Sequence, residues 1–134
     1  MSKARGPSPS DTRLHHLALR ASDLEKTVAF YSKVLGLAEV RAERPRSVWL
    51  GFADGSVLMV EARGPAEPAI PAGSLELIAF RVAEGEKAAI RAMAMNIGCF
   101  DGETPHTVYL RDPDGRRVGL STFPLPSERA PSQK

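Results

Sequence analysis

Residues 15–37 read HHLALRASDLEKTVAFYSKVLGL, and the interpretation of the whole chain starts from them. The first part alternates in polarity, which predicts a strand over about residues 14–20. Apolar residues then recur at helical spacing, so we predict a helix over about residues 24–35, capped by Ser22 or Asp23. The expected unit is one strand that leads directly into one amphipathic helix.

The same unit recurs 61 residues later. Residues 14–21 and 75–82 share Leu, Ala and Arg in register, and each following helix pattern ends at a glycine, Gly36 or Gly98. Short extended segments separated by turn residues follow both helices. We therefore predict an α+β fold of two tandem βαβββ modules, in which neither module is large enough to be stable alone.

Proline and polar residues set the predicted boundaries. The chain start and chain end cannot bury enough apolar surface to offset the entropy of ordering, and the middle proline-rich stretch has no periodicity. The predicted divisions are a disordered arm over 1–12, a single domain over 13–123 with module one at 13–61, a linker at 62–74 and module two at 75–123, and a flexible tail over 124–134.

Composition excludes several classes of protein. The 134 residues are 43% hydrophobic and 25% charged with a formal net charge of +2, which is too small to indicate a nucleic-acid partner. No apolar run is long enough to span a membrane, and no secretory signal pattern is present. Cys99 is the single cysteine, so no intrachain disulfide can form. We expect a cytoplasmic protein.

Two hairpins are predicted from their turn residues. Residues 112–115 read DPDG, which is typical of a three-residue loop with glycine in the left-handed position, and this loop pairs Tyr109 with Gly119. Gly119 is then expected to leave a void opposite Tyr109 that Gly119→Leu would fill without unfolding the protein. In module one, residues 54–55 read DG, and a two-residue turn there pairs Trp49 with Val60 and turns Trp49 towards the helix.

Three motifs in order resemble one family. They are HLALRASDLEK at 16–26, FY with VLGL at 30–37, and YLRDPDG at 109–115. Together they resemble the vicinal oxygen chelate superfamily, which includes glyoxalases, extradiol dioxygenases and bleomycin resistance proteins. The resemblance covers about residues 13–123. It implies curved mixed sheets around a ligand cavity, commonly completed by dimerisation, so we expect a homodimer.

The resemblance also implies where a metal would bind in this fold. Ligands come from the first and last strands of each module, and in module one these residues are His16 and Glu61. In module two the corresponding residues are Leu77 and Gly119, which have no side-chain donor. His16 and Glu61 alone make an incomplete metal site, since a catalytic metal normally keeps about three protein ligands. We therefore expect no cofactor, with a divalent metal as the alternative.

The leading functional hypothesis is a protein of the glyoxalase and bleomycin resistance type that binds a small organic molecule in a cavity. The cavity residues are expected to be His16, Glu61, Leu77, Tyr109 and Gly119. One alternative is a metal-dependent lyase, isomerase or dioxygenase. Another is a metal-free acid–base enzyme with His16 and Glu61 as catalytic residues, and a third is a non-catalytic regulatory module.

Arginines fall on the same strand faces as the expected cavity residues. These arginines are Arg20, Arg81, Arg111 and Arg117. They suggest an anionic ligand, although for most of them solvated arginines at strand ends are the better explanation.

Overall fold

A computed structural model describes residues 11–128 of the chain. The elements in order are β1 His16–Ala21, α1 Leu24–Leu35, β2 Ala38–Glu43, β3 Ser47–Gly51, β4 Val57–Ala62, β5 Leu77–Arg81, α2 Glu84–Ile97, β6 Phe100–Glu103, β7 Thr107–Arg111 and β8 Arg117–Ser121, followed by a 3-10 helix at Pro126–Glu128. The strands form two four-stranded sheets with the orders β1-β4-β3-β2 and β5-β8-β7-β6. The predicted α+β fold of two tandem βαβββ modules is confirmed.

The predicted terminal segments lie largely outside the described residues. Of the arm predicted over 1–12, only Asp11 and Thr12 are described, and of the tail predicted over 124–134, only the part up to Glu128 is described.

Helix α1 has the bounds that its sequence predicts. Asp23 caps it, because its carboxylate accepts a hydrogen bond of 3.1 Å from the backbone N–H of Lys26. Gly36 ends it with φ 67°, a left-handed conformation that glycine adopts at little cost. The buried face of the helix carries Leu24, Thr27, Val28, Tyr31 and Val34.

Helix α2 buries less of its surface. Its first turn is held by Glu86, whose carboxylate accepts a hydrogen bond of 2.9 Å from the backbone N–H of Ala83. Ile90 and Ala94 are its buried residues, and the rest of the helix is mostly alanine and charged residues. Module two therefore depends more on its sheet than on its helix for apolar burial.

The core lies between each sheet and its helix. Alternate residues of the central strands are fully buried there, namely Val48, Leu50, Leu58 and Val60 in module one and Val108, Leu110, Val118 and Leu120 in module two. The side chains on the opposite face of each sheet are free to form a site.

The β7–β8 hairpin has the predicted register. Tyr109 pairs with Gly119 and Arg111 pairs with Arg117. The loop closes through the backbone N–H of Asp112 to the carbonyl of Arg116 at 2.9 Å, with Gly115 at φ 85°. The predicted three-residue loop is confirmed.

The β3–β4 hairpin differs from its prediction by one residue. Trp49 pairs with Met59 rather than with Val60. The cause is the loop, which closes through the backbone N–H of Phe52 to the carbonyl of Ser56 at 2.9 Å and so contains three residues instead of two. A one-residue shift moves every side chain to the other face of a strand, so the prediction that Trp49 packs towards the helix is wrong.

The two modules are joined by contacts between the loop of each and the first half of the other. The hydroxyl of Tyr31 in α1 donates to the buried carboxylate of Asp112 at 2.6 Å, and Arg116 donates to the carbonyl of Arg20 at 2.8 Å. Phe52 stacks on Phe80 with ring centroids 5.7 Å apart. One continuous core results within a single chain.

Each module is followed by a segment that returns to its first strand. Glu67 accepts hydrogen bonds from Arg20 and from the backbone N–H of Gly64. Glu128 in the same way accepts from Arg81 and from the backbone N–H of Leu125. The described part of the predicted tail, residues 124–128, is thus hydrogen-bonded to the sheet through Glu128, and the flexibility of the tail stays a prediction.

Within residues 11–128, none of the helices has the length and apolar character needed to cross a membrane.

Candidate functional site

The candidate site is built from the sheet faces that point away from the helices, which we call the mixed faces. The mixed face of module one carries His16, Ala18, Arg20, Trp49, Met59 and Glu61, and that of module two carries Leu77, Ala79, Arg81, Tyr109, Arg117 and Gly119. The two parallel strand pairs have the same register. In module two Ala79 pairs with Gly119, and in module one Ala18 pairs with Met59.

This shared register corrects one site prediction. The residue of module one that corresponds to Gly119 is Met59, not Glu61. Glu61 corresponds instead to Ser121, since Glu61 pairs with Arg20 and Ser121 pairs with Arg81. The sequence pattern could not show this, because both strands are too regular for the register to be read without the loop.

His16 and Glu61 do not form the expected acid–base pair. His16 pairs with Val57, four residues before Glu61 on β4, which separates the two by about 13 Å at 3.3 Å per residue. Glu61 is bound by Arg20 at 3.0 Å. The hydrogen bonds that Arg20 donates to Glu67 and Glu61 raise the pKa of Arg20, and the Arg20 guanidinium lowers the pKa of Glu67 below its usual range. The predicted dyad is wrong.

The residues at the expected metal positions do not fit a metal ion. By the shared register these positions hold His16, Met59, Leu77 and Gly119, of which His16 alone offers a donor suited to a catalytic divalent ion. Across residues 11–128 no group of three or more His, Cys, Asp or Glu side chains is arranged to hold one. The predicted metal site at His16 and Glu61 is wrong in its geometry as well as incomplete.

The space at Gly119 is already filled. A Cβ atom at this position would lie 3.3 Å from Cδ1 of Leu77 and 3.3 Å from Cγ2 of Thr107. Both distances are tighter than ordinary van der Waals contact, and Gly119 is buried. The prediction of a void opposite Tyr109 is therefore wrong, and Gly119→Leu would force Leu77 out of its position.

Two aromatic side chains occupy corresponding places on the mixed faces. Trp49 pairs with Met59 as Tyr109 pairs with Gly119. Arg41 lies over the Trp49 ring at 5.1 Å, and a second arginine, Arg117, lies over the Tyr109 ring at 4.0 Å. Such cation–π stacks hold flat aromatic surfaces next to positive charge. A two-residue turn at 54–55 would place Trp49 on the opposite face, so the sequence does not predict this aromatic position.

A pocket of about 320 Å³ lies where the linker meets β5, beside the mixed face of module two. We call it the junction pocket, and its lining residues are Leu19, Ile70, Pro71, Ser74, Glu76, Leu77, Ile78, Arg116 and Arg117. Of the predicted ligand-binding residues it contains Leu77. The other lining residues of the pocket could not be predicted from the sequence, because the path of the 62–74 segment over the sheet is set by long-range contacts.

Charged side chains beside this pocket form a small network. Asp101 of β6 accepts hydrogen bonds from Arg111 at 2.9 Å and from Arg117 at 3.2 Å. Arg111 also donates to the carbonyls of Ser74 and Gly115. The linker is thereby fixed against the end of the β7–β8 hairpin.

Comparison with known proteins agrees with this architecture. A relative from Vibrio cholerae serotype O1, named probable lactoylglutathione lyase, is 28% identical over 127 residues, which cover 83% of this chain and 91% of the relative. A possible glyoxalase from Bacillus cereus is 21% identical with a TM-score of 0.67, covering 81% of this chain and 97% of that one.

A third similar structure is a mutant fosfomycin resistance protein from Listeria monocytogenes, in complex with Mn(II) and 1S,2S-dihydroxypropylphosphonic acid. It is 19% identical with a TM-score of 0.71, and the match covers 88% of this chain and 98% of that one. A family model also matches residues 13–120. The paired modules, the strand register and this match lead to one conclusion: the chain belongs to the Glyoxalase/Bleomycin resistance protein/Dioxygenase superfamily.

Proposed function

We propose that the protein binds a small organic molecule in the junction pocket and on the adjoining mixed face of module two, without a complete metal site. The observation that carries this proposal is the place of Leu77. Leu77 occupies a position where the resemblance to the superfamily implies a metal ligand, and the same side chain lines the junction pocket. An apolar group has replaced a donor at the position that faces the ligand.

The pocket has the properties of a small-molecule site. Its volume is at the lower end of the range of about 300–1,000 Å³ that is usual for ligand pockets. Leu77 is 42% exposed, and since full burial of a leucine side chain contributes about 1.5–3 kcal/mol, covering the rest of Leu77 contributes about 1 kcal/mol. A ligand that covers Leu77 therefore gains affinity from apolar contact alone.

Enzymatic alternatives have less support. The relative named probable lactoylglutathione lyase suggests a lyase, and the family resemblance implies that such a lyase would use a metal. In this chain, however, only His16 among the four expected ligand positions can donate to a metal. A metal-free acid–base mechanism needs His16 beside Glu61, which the register of β1 and β4 does not provide.

We also propose that the protein is a homodimer. Strand β2 is exposed along its whole length, with Val40 60% exposed, and it forms the edge of its sheet. An exposed edge strand readily pairs with another chain, and closed two-fold symmetry is the commonest arrangement. Light scattering should give twice the chain mass at micromolar concentration. A monomer mass across that range would contradict the dimer.

The binding proposal is tested by a thermal-shift screen of small aromatic and aliphatic compounds, with calorimetry on the hits. Leu77→Asn should weaken binding severalfold, as expected for loss of about 1 kcal/mol of apolar contact. Leu75→Asn is the matched control, because Leu75 is 73% exposed on the same segment and does not line the pocket. It should leave affinity unchanged.

Metal dependence is tested with the same hits. EDTA and the His16→Ala variant should both leave the dissociation constant unchanged. Binding that EDTA abolishes and added Mn²⁺ or Zn²⁺ restores would contradict the proposal and favour the metal-dependent alternative.

A further inference from the structure

Arg117 has unused hydrogen-bond donors in the wall of the junction pocket. Its side chain is only 22% exposed, its Nε donates to Asp101 at 3.2 Å, and its guanidinium lies over the Tyr109 ring at 4.0 Å. Neither terminal nitrogen has an acceptor within hydrogen-bond distance among residues 11–128. A planar guanidinium in this state offers two parallel N–H groups to an anion.

The second arginine of the pocket is already satisfied. Arg116 donates to the carboxylate of Asp112 at 2.6 Å and to the carbonyl of Arg20 at 2.8 Å. Its role is to join the modules. Arg117 is therefore the pocket arginine with donors available for a ligand.

The partly buried charges beside Arg117, which do not include the exposed Glu76, leave room for one negative charge. Arg111 and Arg117 share the single carboxylate of Asp101, so these three side chains have a net charge of +1. A carboxylate that binds Arg117 would neutralise the cluster. Partly buried charge that is not neutralised is unfavourable, which adds to the attraction.

Glu76 limits how much negative charge the pocket accepts. It also lines the pocket, and it has no ion-pair partner within the described part of the chain. Glu76 is exposed, and a second negative charge on the ligand would be repelled by it, because like charges repel even near the protein surface.

From these observations we propose that the ligand is an apolar monocarboxylate, whose carboxylate binds Arg117 and whose apolar body lies against Ile70, Leu77 and Ile78. This inference rests on the proposed function, and it names the chemical class of the ligand at that site. Arg117 fixes the orientation of the ligand, and Glu76 excludes dianions.

The test compares three probes of similar shape by calorimetry: phenylacetate, its neutral analogue phenylacetamide and the dianion phenyl phosphate. The wild-type protein should bind phenylacetate at least tenfold more tightly than either of the other two, by the usual strength of a charge-assisted hydrogen bond. Arg117→Gln should remove this preference. Arg117→Lys should keep part of this preference, since lysine keeps the positive charge but lacks the planar pair of guanidinium N–H donors.

Two further variants separate binding from folding. Arg41→Gln is the matched control, because it removes the same charge from the corresponding stack over Trp49 and lies outside the pocket. It should leave the phenylacetate affinity unchanged. Glu76→Gln should tighten binding of phenylacetate severalfold and of phenyl phosphate more strongly, a gain that misfolding cannot produce.

The outcomes distinguish this inference from the proposed function. If phenylacetamide binds as tightly as phenylacetate and Arg117→Gln changes neither, the carboxylate assignment is wrong and small-molecule binding stands. If screen hits are insensitive to Leu77→Asn, or if neither the screen nor the probes give any binding, the proposed function fails and this inference fails with it.

Discussion

The loops that close the two central hairpins have the same backbone hydrogen bond, but the side chain before the loop is apolar in module one and charged in module two. In module one the backbone N–H of Phe52 donates to the carbonyl of Ser56. In module two the backbone N–H of Asp112 donates to the carbonyl of Arg116, and both hydrogen bonds are 2.9 Å long. Yet Phe52 stacks on an aromatic ring, whereas Asp112 is buried in an ionic and hydrogen-bonded network.

The difference shows which part of a repeat is fixed by its fold. The left-handed glycine, Gly55 or Gly115, sets the loop conformation in both modules. The residue that precedes the loop, Phe52 or Asp112, determines how each module packs against the other. The chain thus uses one apolar and one polar contact at corresponding places between its two halves.

The largest effect is expected from Asp112→Ala. Its carboxylate is fully buried, and its loss leaves the Tyr31 hydroxyl without its acceptor and the nearly buried Arg116 without its ion-pair partner. Removal of one partner of a buried ion pair costs about 3–5 kcal/mol, so the free energy of unfolding should fall by that amount in urea titrations. Asp112→Asn, which keeps the shape, should cost less than Asp112→Ala. Equal costs would show that packing and not charge holds this loop.

Phe52→Ala should have a smaller effect. Phe52 is only partly buried, so we expect a loss of about 2 kcal/mol, made up of apolar burial and the stacking contact with Phe80. Phe52→Leu should recover most of it, because leucine keeps much of the apolar contact. A loss equal to that of Asp112→Ala would mean that the two docking contacts are of the same strength.

Tyr31→Phe should sharpen the comparison through its pH dependence. Burial, and next the nearby Asp112 carboxylate, raise the pKa of Tyr31 above its ordinary value of 10.0. The stability that this raised pKa provides is fully present below pH 10.0 and decreases above it, because the unfolded tyrosine ionises while the folded one does not.

The variant should therefore cost about 1–2 kcal/mol at pH 7 and progressively less above pH 10, by up to about 1.4 kcal/mol per pH unit. Urea titrations of both proteins between pH 7 and pH 11 measure this. A cost that stays constant over that range would show that folding does not raise the pKa of Tyr31.

The smallest effects are expected from Glu67→Gln and Glu128→Gln. These exposed carboxylates should change the melting temperature little, as is usual for surface ion pairs. Each variant should instead speed amide exchange locally, at Gly64 for Glu67→Gln and at Leu125 for Glu128→Gln. Exchange that speeds up at both amides in both variants would show that the two return segments are coupled.

Most of the fold could be predicted because its signals are local. Helix α1 and the β7–β8 hairpin have the predicted bounds and register, since Asp23 and the DPDG loop each determine their own structure. The β3–β4 register was mispredicted because residues 54–55 were interpreted as a complete two-residue turn. Alignment of residues 52–55 with 112–115 would have revealed the three-residue loop.

The site was less predictable because it depends on contacts between distant segments. Leu77 belongs to the junction pocket as well as to the mixed face, and Arg117 was one of four arginines with no distinguishing signal. Arg117 lines the pocket because the linker crosses the end of the β7–β8 hairpin. The linker is held there by the hydrogen bond from Arg111 to the carbonyl of Ser74. No local pattern encodes such a crossing. The assignment of Glu61 failed for a local reason, the misassigned loop between β3 and β4.

The bond between Tyr31 and Asp112 spans 81 residues, and this has a consequence for synthesis on the ribosome. Helix α1 leaves the ribosome with its largest fully buried side chain, Tyr31, still lacking an acceptor, which the chain supplies only when module two is nearly finished. Contacts of such long sequence separation form late in folding. We therefore expect the nascent first half to stay incompletely packed until translation is almost over, and the two modules to gain their final structure together.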